Sequence, residues 1–236
     1  MSAPARDTGS PAAIAIDGPA GAGKSTVSKL LARRLGFFLL DTGAIYRAVA
    51  LAASRAGVAF SDGERLGAIA RGLAIRFDEQ GRVWLGDEDV STAIRTPEMS
   101  QGASTVSAHP AVREALLDLQ RQIASRGRCV VEGRDIGTVV LPWAPLKIFL
   151  TASEEVRARR RWDELRARGS DVDLAATLAE LRERDERDSK RAVAPLKQAE
   201  DALLVDTSTL DLGSVVDQLE RIARERLGPS ISLDHK

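Results

Sequence analysis

The chain is poor in several residue types, and each scarcity excludes a class of structure or function. Cys129 is the only cysteine in 236 residues, which excludes an intrachain disulfide. Its apolar surroundings predict a buried small side chain in a reducing compartment. Aromatic residues make up only 4% of the chain, and 34 Lys and Arg balance 34 Asp and Glu. This composition disfavours a nucleic-acid polymer as partner, because such binding needs a basic surface or stacking rings.

Long apolar runs are also missing. No run approaches the length of a membrane span, and residues 1–11 lack the apolar segment of a signal peptide. We therefore expect a cytoplasmic protein without a membrane partner, with a flexible tail at 1–11 and a second flexible tail at 229–236.

A glycine-rich segment carries the strongest functional signal. Residues 18–26 read GPAGAGKST and lie between an apolar run and a helical pattern, the order typical of a loop that binds the phosphates of a nucleoside triphosphate. The glycines let successive N–H groups point inward, and the following helix adds its positive end. Lys24 would neutralise the β- and γ-phosphates, and the Ser25 hydroxyl would ligate Mg²⁺. The residues predicted to bind the triphosphate are Gly18, Pro19, Ala20, Gly21, Ala22, Gly23, Lys24, Ser25 and Thr26.

Short apolar runs alternate with helical patterns along the chain, which is typical of βα units around a buried parallel sheet. The alternation predicts a three-layer α/β fold with strands at 12–16, 37–40, 128–131, 146–150 and 203–205. The first helix is expected to bury Val27, Leu30, Leu31 and Leu35 and to end at Gly36. A second helix is expected after Thr42, and a terminal helix at about 215–227.

Residues 60–95 interrupt this alternation. A short helical pattern is followed by strand patterns at 73–77 and 82–85, joined by the turn sequence DEQG, which predicts a β-hairpin. We expect a single domain at 12–228, in which an insert at about 60–95 separates a core formed by 12–59 and 96–228.

Two polar segments come directly after strands, at the edge of the sheet where ligands of open α/β folds bind. The segment 41–47 contains Tyr46 and Arg47 and, beside a phosphate loop, favours a second phosphate site over a simple helix cap with a solvated arginine. The segment 132–135 combines Arg134, suited to a phosphate, with Asp135, whose carboxylate can accept from an amino group such as that of cytosine. A loop ion pair is the alternative for this second segment.

Two arginine-rich helical patterns follow. Arg157, Arg160 and Arg161 share one helical face by their spacing, which indicates either a solvated surface or a lid over phosphates. Further along, spacings of four and seven residues place Arg184, Asp188 and Arg191 on one face. A solvated charged helix is again the alternative.

Six motifs together are more specific than the phosphate loop alone. They are DGPAGAGKST at 17–26, DTGAIYR at 41–47, EDVSTAIRTPE at 88–98, VREAL at 112–116, VEGRDIGTVV at 131–140 and RDSKRAVAPL at 187–196. Through them the chain resembles the bacterial cytidylate kinases, nucleoside monophosphate kinases of the phosphate-loop (P-loop) class, from about residue 14 to the terminal helix. The resemblance implies a P-loop NTPase fold with a parallel sheet, a helical lid at about 153–170 and a monophosphate-binding insert that contains the hairpin. It also implies ATP-dependent phosphorylation of CMP, and of dCMP, with Mg²⁺ as cofactor.

The resemblance further implies roles for single residues. The positions that match cytosine-reading residues are Ser104, Arg113 and Asp135, and those that match ribose-binding residues are Arg184 and Asp188. The positions that match acceptor-phosphate residues are Thr42, Tyr46, Arg47, Arg134 and Arg191. The predicted catalytic set is Lys24, Arg134, Arg157, Arg161 and Arg191.

The chemistry of the acceptor is consistent with these roles. A nucleotide phosphate is largely ionised near neutral pH because its second pKa is about 6, so direct in-line transfer needs no general base. We expect small nucleotides as the partners and, without a coiled-coil seam, a monomer. Two alternatives stay open: a kinase that phosphorylates an alcohol with Asp17 or Asp41 as base, and a non-enzymatic nucleotide switch.

Overall fold

The structure is a computed structural model that describes residues 12–78 and 80–228. The tails expected at 1–11 and 229–236 lie outside the described residues, as does Glu79. Among the described helices, none combines the length and the apolarity that crossing a membrane would require.

The central sheet consists of parallel strands, each within one residue of a predicted strand. They are β1 (Ala13–Asp17), β2 (Phe38–Asp41), β6 (Cys129–Glu132), β7 (Leu146–Thr151) and β8 (Leu203–Asp206). Their spatial order is β2, β6, β1, β7, β8, so the strand that precedes the glycine-rich loop lies in the middle of the sheet. The carboxyl ends of β1, β2 and β6 therefore meet at one edge.

Helices cover both faces of this sheet, and a further pair packs against the loop that follows β1. They are α1 (Lys24–Leu35), α2 (Thr42–Arg55), α3 (Gly63–Gly72), α4 (Pro97–Val106), α5 (Pro110–Ala124), α6 (Glu154–Ala167), α7 (Leu174–Lys190) and α8 (Leu212–Leu227). Because side chains alternate along a strand, Ala13 and Ala15 face the core formed with α2 to α5, whereas Ile14 and Ile16 face α1 and α8. This arrangement confirms the predicted three-layer α/β fold.

The first helix follows its predicted pattern with one exception. Val27, Leu31 and Leu35 are buried, but Leu30 is only half-buried. The helix ends at Gly36, whose positive φ of 66° and backbone N–H bonds close the last turn.

The predicted hairpin is present, as β3 (Ile75–Phe77) paired antiparallel with β4 (Val83–Leu85). Its turn is closed by the Gly81 N–H, which donates to the Asp78 carbonyl at 2.9 Å, and Gly81 has a φ of 74°. A third strand, β5 (Glu88–Asp89), adds to β4 and was not predicted. Ile75 and Val83 join the core of α2 to α5, so the hairpin packs against the face of the molecule that also carries α4 and α5.

Candidate active site

The glycine-rich loop joins β1 to α1 at the carboxyl edge of the sheet, and every predicted triphosphate-binding residue lies in it or in the first turn of α1. Its path requires glycine. A Cβ on Gly18 would lie 1.9 Å from the Leu150 carbonyl oxygen, and the φ values of Gly18, Gly21 and Gly23 are 147°, 74° and 87°. The loop therefore presses closely against β7 and leads directly into the N-terminus of α1.

Lys24 is buried inside this loop. Its ammonium group donates to the carbonyl oxygens of Gly18 at 2.7 Å and Pro19 at 2.6 Å. Burial, together with the nearby charge of Arg134, lowers the pKa of Lys24 well below its usual value. The side chain of Lys24 is thus held against the backbone of the glycine-rich loop.

Ser25 leads to a residue that sequence reasoning did not assign. Its hydroxyl donates to Glu132 Oε1 at 2.8 Å, while the second carboxylate oxygen of Glu132 is buried without a hydrogen-bond partner. Burial and the charge of Asp41 raise the pKa of Glu132 to about 7. The register places Glu132 opposite Ile16 of β1. In the sequence, the one indication of a role for Glu132 was its position at the end of a predicted strand. Only the order of the strands in the sheet places it next to the glycine-rich loop.

Asp17 and Asp41, the two candidate bases of the alcohol-kinase alternative, are both engaged. The Asp17 oxygens accept the N–H groups of Ile136 at 2.8 Å and Gly137 at 2.7 Å, and burial raises the pKa of Asp17 to about 6. Asp41 accepts the Ala44 N–H at the start of α2 and a hydrogen bond from Arg47 at 2.8 Å. These carboxylates hold the π-helical turn at 136–140 and helix α2 in place.

The segment 41–47 brings its polar side chains to the same edge. Thr42 donates from its hydroxyl to the Glu132 carbonyl at 2.7 Å. A Cβ on Gly133 would lie 2.7 Å from the Thr42 hydroxyl oxygen, so glycine allows the two segments to approach. Tyr46 is buried, with the Arg113 guanidinium 5.6 Å from its ring centroid. The Tyr46 ring therefore packs against the Arg113 guanidinium inside the protein and does not project into solvent.

Asp135 is the centre of a buried ion-pair network. One carboxylate oxygen accepts from Arg113 and the other from Arg191 at 3.2 Å. Arg113 also donates to the Ser107 carbonyl at 3.3 Å. The network joins α5, the turn after β6 and the end of α7.

Arg191 departs from the predicted helical face. Helix α7 ends at Lys190, and Arg191 follows with an extended backbone (φ −62°, ψ 141°). This turn carries its guanidinium to Asp135, while Asp188 accepts from Arg134 at 2.9 Å. The three residues 184, 188 and 191 are still brought together, but by the end of the helix rather than by helical periodicity alone.

An excess of positive charge surrounds these contacts. Burial and the charge of Arg134 lower the pKa of Arg184 to about 10, and the Nε of Arg184 has no hydrogen-bond partner. Burial alone would raise the pKa of Asp188. The charges of Arg134 and Arg184 outweigh it and hold this pKa below its usual value. Burial and Arg113 lower the pKa of Arg191. The cluster as a whole is suited to a ligand with several negative charges.

The helices at the predicted lid contact the loop directly. Arg157 donates to the Ala20 carbonyl at 2.9 Å and to Asp185, and the Ala20 N–H donates to the same Asp185 at 3.1 Å. Arg157 is therefore buried against protein groups. Arg161 instead forms an ion pair with Glu164, one turn along its own helix, at 3.0 Å. Asp185 was not singled out from the sequence because it lies in a charged run that reads equally well as a solvated surface.

Ser104, from the predicted cytosine-reading set, lies on α4 and is buried. Its hydroxyl oxygen accepts a hydrogen bond at 2.8 Å from Arg187, a second residue of α7 that sequence reasoning did not assign.

Comparison with known proteins covers nearly the whole described chain. A family model described as Cytidylate kinase matches residues 14–225. The cytidylate kinase of Syntrophotalea carbinolica is 52% identical over 216 residues, which are 90% of this chain and 92% of that protein. The cytidylate kinase of Pseudomonas paraeruginosa is 54% identical over 211 residues, 87% of this chain and 92% of that protein. Among solved structures, an uncharacterized protein from Eubacterium ventriosum has a TM-score of 0.53 at 13% identity, covers 91% of this chain and 99% of that chain, and thus shares the fold.

Proposed function

The chain belongs to the cytidylate kinase family, and on that premise we propose that its site transfers the γ-phosphoryl group of ATP directly to the phosphate of CMP. The chain is a kinase, and its products are CDP and ADP. The observation that carries the proposal is the buried arginine cluster beside the phosphate loop. Arg134 and Arg184 are close enough for Arg134 to depress the pKa of Arg184, an arrangement that a second phosphate group would stabilise.

In-line transfer places negative charge on oxygens between the loop and the cluster, and preorganised cations stabilise that charge. We assign this work to Lys24 on the donor side and to Arg134 and Arg191 on the acceptor side. The acceptor phosphate is already ionised, so no carboxylate base is required. Since Asp17 and Asp41 are committed to backbone N–H groups and to Arg47, the geometry does not favour an alcohol acceptor.

The donor side also fits Mg²⁺. The hydroxyl of Ser25 and the unpartnered buried oxygen of Glu132 are hard oxygen donors next to the loop. We propose that Ser25 ligates the ion and that Glu132 accepts from its hydration water. When bound, Mg²⁺ neutralises charge on the β- and γ-phosphates.

Recognition of the acceptor is proposed for the opposite end of the cluster. Asp135 would accept from the cytosine amino group, with Ser104 and Arg113 beside it, while Arg184 and Asp188 would bind the ribose. We propose that dCMP is also an acceptor, because it keeps the base and the phosphate that most of these residues would contact and lacks only one hydroxyl of the ribose. Thr42, Tyr46 and Arg47 would complete the phosphate site.

The lid would exclude water from the transfer. Of the two lid arginines, Arg161 would lose less than Arg157 by turning toward the phosphates, because its ion-pair partner, Glu164, is exposed. Arg157, bound to Ala20 and Asp185, would act mainly by fixing the loop. We further propose that the protein is cytoplasmic, because Cys129 is a free, buried cysteine whose thiol pKa burial raises to about 12, as suits a reducing compartment. We also propose a monomer, because every residue assigned to the site comes from one chain.

The decisive experiment measures ADP formation from Mg·ATP with CMP, dCMP, UMP, AMP, GMP or no acceptor, and identifies the products by chromatography. We expect CDP with CMP and dCDP with dCMP. Formation of ADP without CDP would point to an alcohol acceptor or a hydrolase, and the absence of ADP would point to a nucleotide switch. Either result would refute the proposal.

A further inference from the structure

The Ser104 hydroxyl has a different kind of hydrogen-bond partner from the other hydroxyl groups on α4. The hydroxyls of Ser100 and Thr105 donate to carbonyl groups one turn earlier in the helix, at 3.0 and 3.3 Å. Back-bonding of this kind is common for serine and threonine inside helices. Ser104 instead accepts from Arg187 Nη1 at 2.8 Å, across the cleft between α4 and α7.

Arg187 is itself held in place. Its second terminal nitrogen pairs with Glu183, one turn earlier on α7, at 2.5 Å. The planar guanidinium can therefore reach Glu183 and Ser104 at once, in a fixed fork. Residues on both sides of this contact, among them Gln101 and Arg184, line a narrow cavity of about 20 Å³.

This contact lies next to the proposed base-reading residues. The Ser107 hydroxyl donates to the Ser104 carbonyl at 3.0 Å, and the Ser107 carbonyl accepts from Arg113 at 3.3 Å. Arg113 in turn pairs with Asp135. A short chain of contacts thus connects Ser104, the partner of Arg187, to Asp135, the carboxylate proposed to accept from the cytosine amino group.

We propose that Arg187 is a specificity-determining positioning residue, which holds the Ser104 hydroxyl toward the acceptor base and so sharpens the preference for cytosine over uracil. The inference rests on the proposed function of the site. Cytosine presents an amino donor and a ring-nitrogen acceptor where uracil presents a carbonyl acceptor and an N–H donor. A hydroxyl held in one orientation distinguishes these patterns, whereas one that can turn back to its own helix does not.

The test compares kcat/KM for CMP and UMP in wild type, Arg187→Met, Ser104→Ala and the double variant. Loss of one neutral hydrogen bond predicts a fall of about five-fold in the CMP/UMP ratio for each single variant. The double variant should fall no further than Ser104→Ala, because both changes remove the same interaction. Lys190→Met is the matched control, since Lys190 is an exposed cation of α7 whose partner Glu186 is also exposed, and its ratio should equal that of wild type.

Arg187→Lys, which keeps a cationic hydrogen-bond donor on a stem of similar length, provides a second variant should Arg187→Met lower the melting temperature. Its ratio is expected between those of wild type and Arg187→Met. A wild-type ratio in both Arg187 variants, or a double variant whose loss is the product of the single losses, would overturn the inference. These results leave the proposed function intact if wild type makes CDP, whereas failure of wild type to make CDP refutes that function first.

Discussion

The buried charge of Asp135 allows a quantitative test of the site. The side chains of Asp135, Arg113 and Arg191 are only 6%, 7% and 4% exposed, and the carboxylate accepts from both guanidinium groups. Substitution of Asp135 by Asn keeps the size of the side chain but removes its charge. Two buried arginines then lose their shared counter-charge.

Removing one partner of a buried ion pair typically destabilises a protein by about 3–5 kcal/mol. For a chain of this size each kcal/mol lowers the melting temperature by about 2–4 °C, so Asp135→Asn should melt roughly 6–20 °C below wild type. The same variant should lose most of its preference for CMP over UMP, because an amide can no longer act as a pure acceptor toward the amino group.

Thermal unfolding followed by circular dichroism, without nucleotide, measures the first effect, and the acceptor panel measures the second. Asp217→Asn is the matched control, because it removes a carboxylate from an exposed ion pair with Arg34. The side chains of Arg34 and Asp217 are 41% and 68% exposed. A melting temperature of Asp135→Asn within about 2 °C of wild type would contradict the reasoning. An unchanged CMP/UMP ratio would remove Asp135 from the base-reading site.

Four further predictions concern the glycine-rich loop, the adjoining Glu132 and the lid arginines. Lys24→Ala should lower kcat by about 10²- to 10³-fold for CMP and UMP alike, because it removes charge stabilisation that both acceptors share; steady-state kinetics would contradict this by a changed CMP/UMP ratio. The pKa of Glu132 is raised from 4.5 to about 7, so the folded state retains a proton that the unfolded chain has lost between these values. Glu132 should therefore lower the free energy of unfolding by about 3 kcal/mol as pH rises through this range. In urea titrations at several pH values, Glu132→Gln should lose this contribution and keep the one from Asp17, whose pKa is also raised, to about 6. If the free energy of unfolding of Glu132→Gln changed with pH as steeply as that of wild type, the raised pKa of Glu132 would be excluded. Arg157→Met should destabilise the fold by about 2 kcal/mol, because it removes the ion pair of the partly buried Asp185, which then keeps only the Ala20 N–H as a donor. Arg161→Met should lower kcat at an unchanged melting temperature, and equal melting losses in the two variants would contradict the assignment.

Much of the fold could be predicted because local signals agreed with tertiary packing. The five apolar runs became the central strands, and the reason is clearest for β1, β6 and β7, since a strand buried on both faces must be apolar nearly throughout. Gly36 ended α1 where a positive φ was needed. By contrast, Arg191 was placed on a helical face that ends at Lys190, because spacing alone does not show where a charged helix stops.

The candidate site divides in the same way. The phosphate loop and the segment 41–47 are continuous in sequence, so their chemistry was visible in the order of residues. Glu132, Asp185 and Arg187 were not assigned, because each acts through a partner more than 80 residues away, at Ser25, Ala20 and Ser104. A carboxylate or guanidinium in a charged run has the same local signal whether it is solvated or buried.

The sequence by itself determined the alternation of strands and helices, the phosphate loop and the residue types at the strand ends, because these depend on periodicity and on backbone conformations open only to glycine. Only the tertiary structure decided which charges meet. The order of the strands places Glu132 beside the loop, and the packing of α7 against α6 and α4 gives Arg157 and Arg187 their partners. The turn after α7 brings Arg191 to Asp135. Electrostatic interactions depend on distance and burial, and the fold sets both.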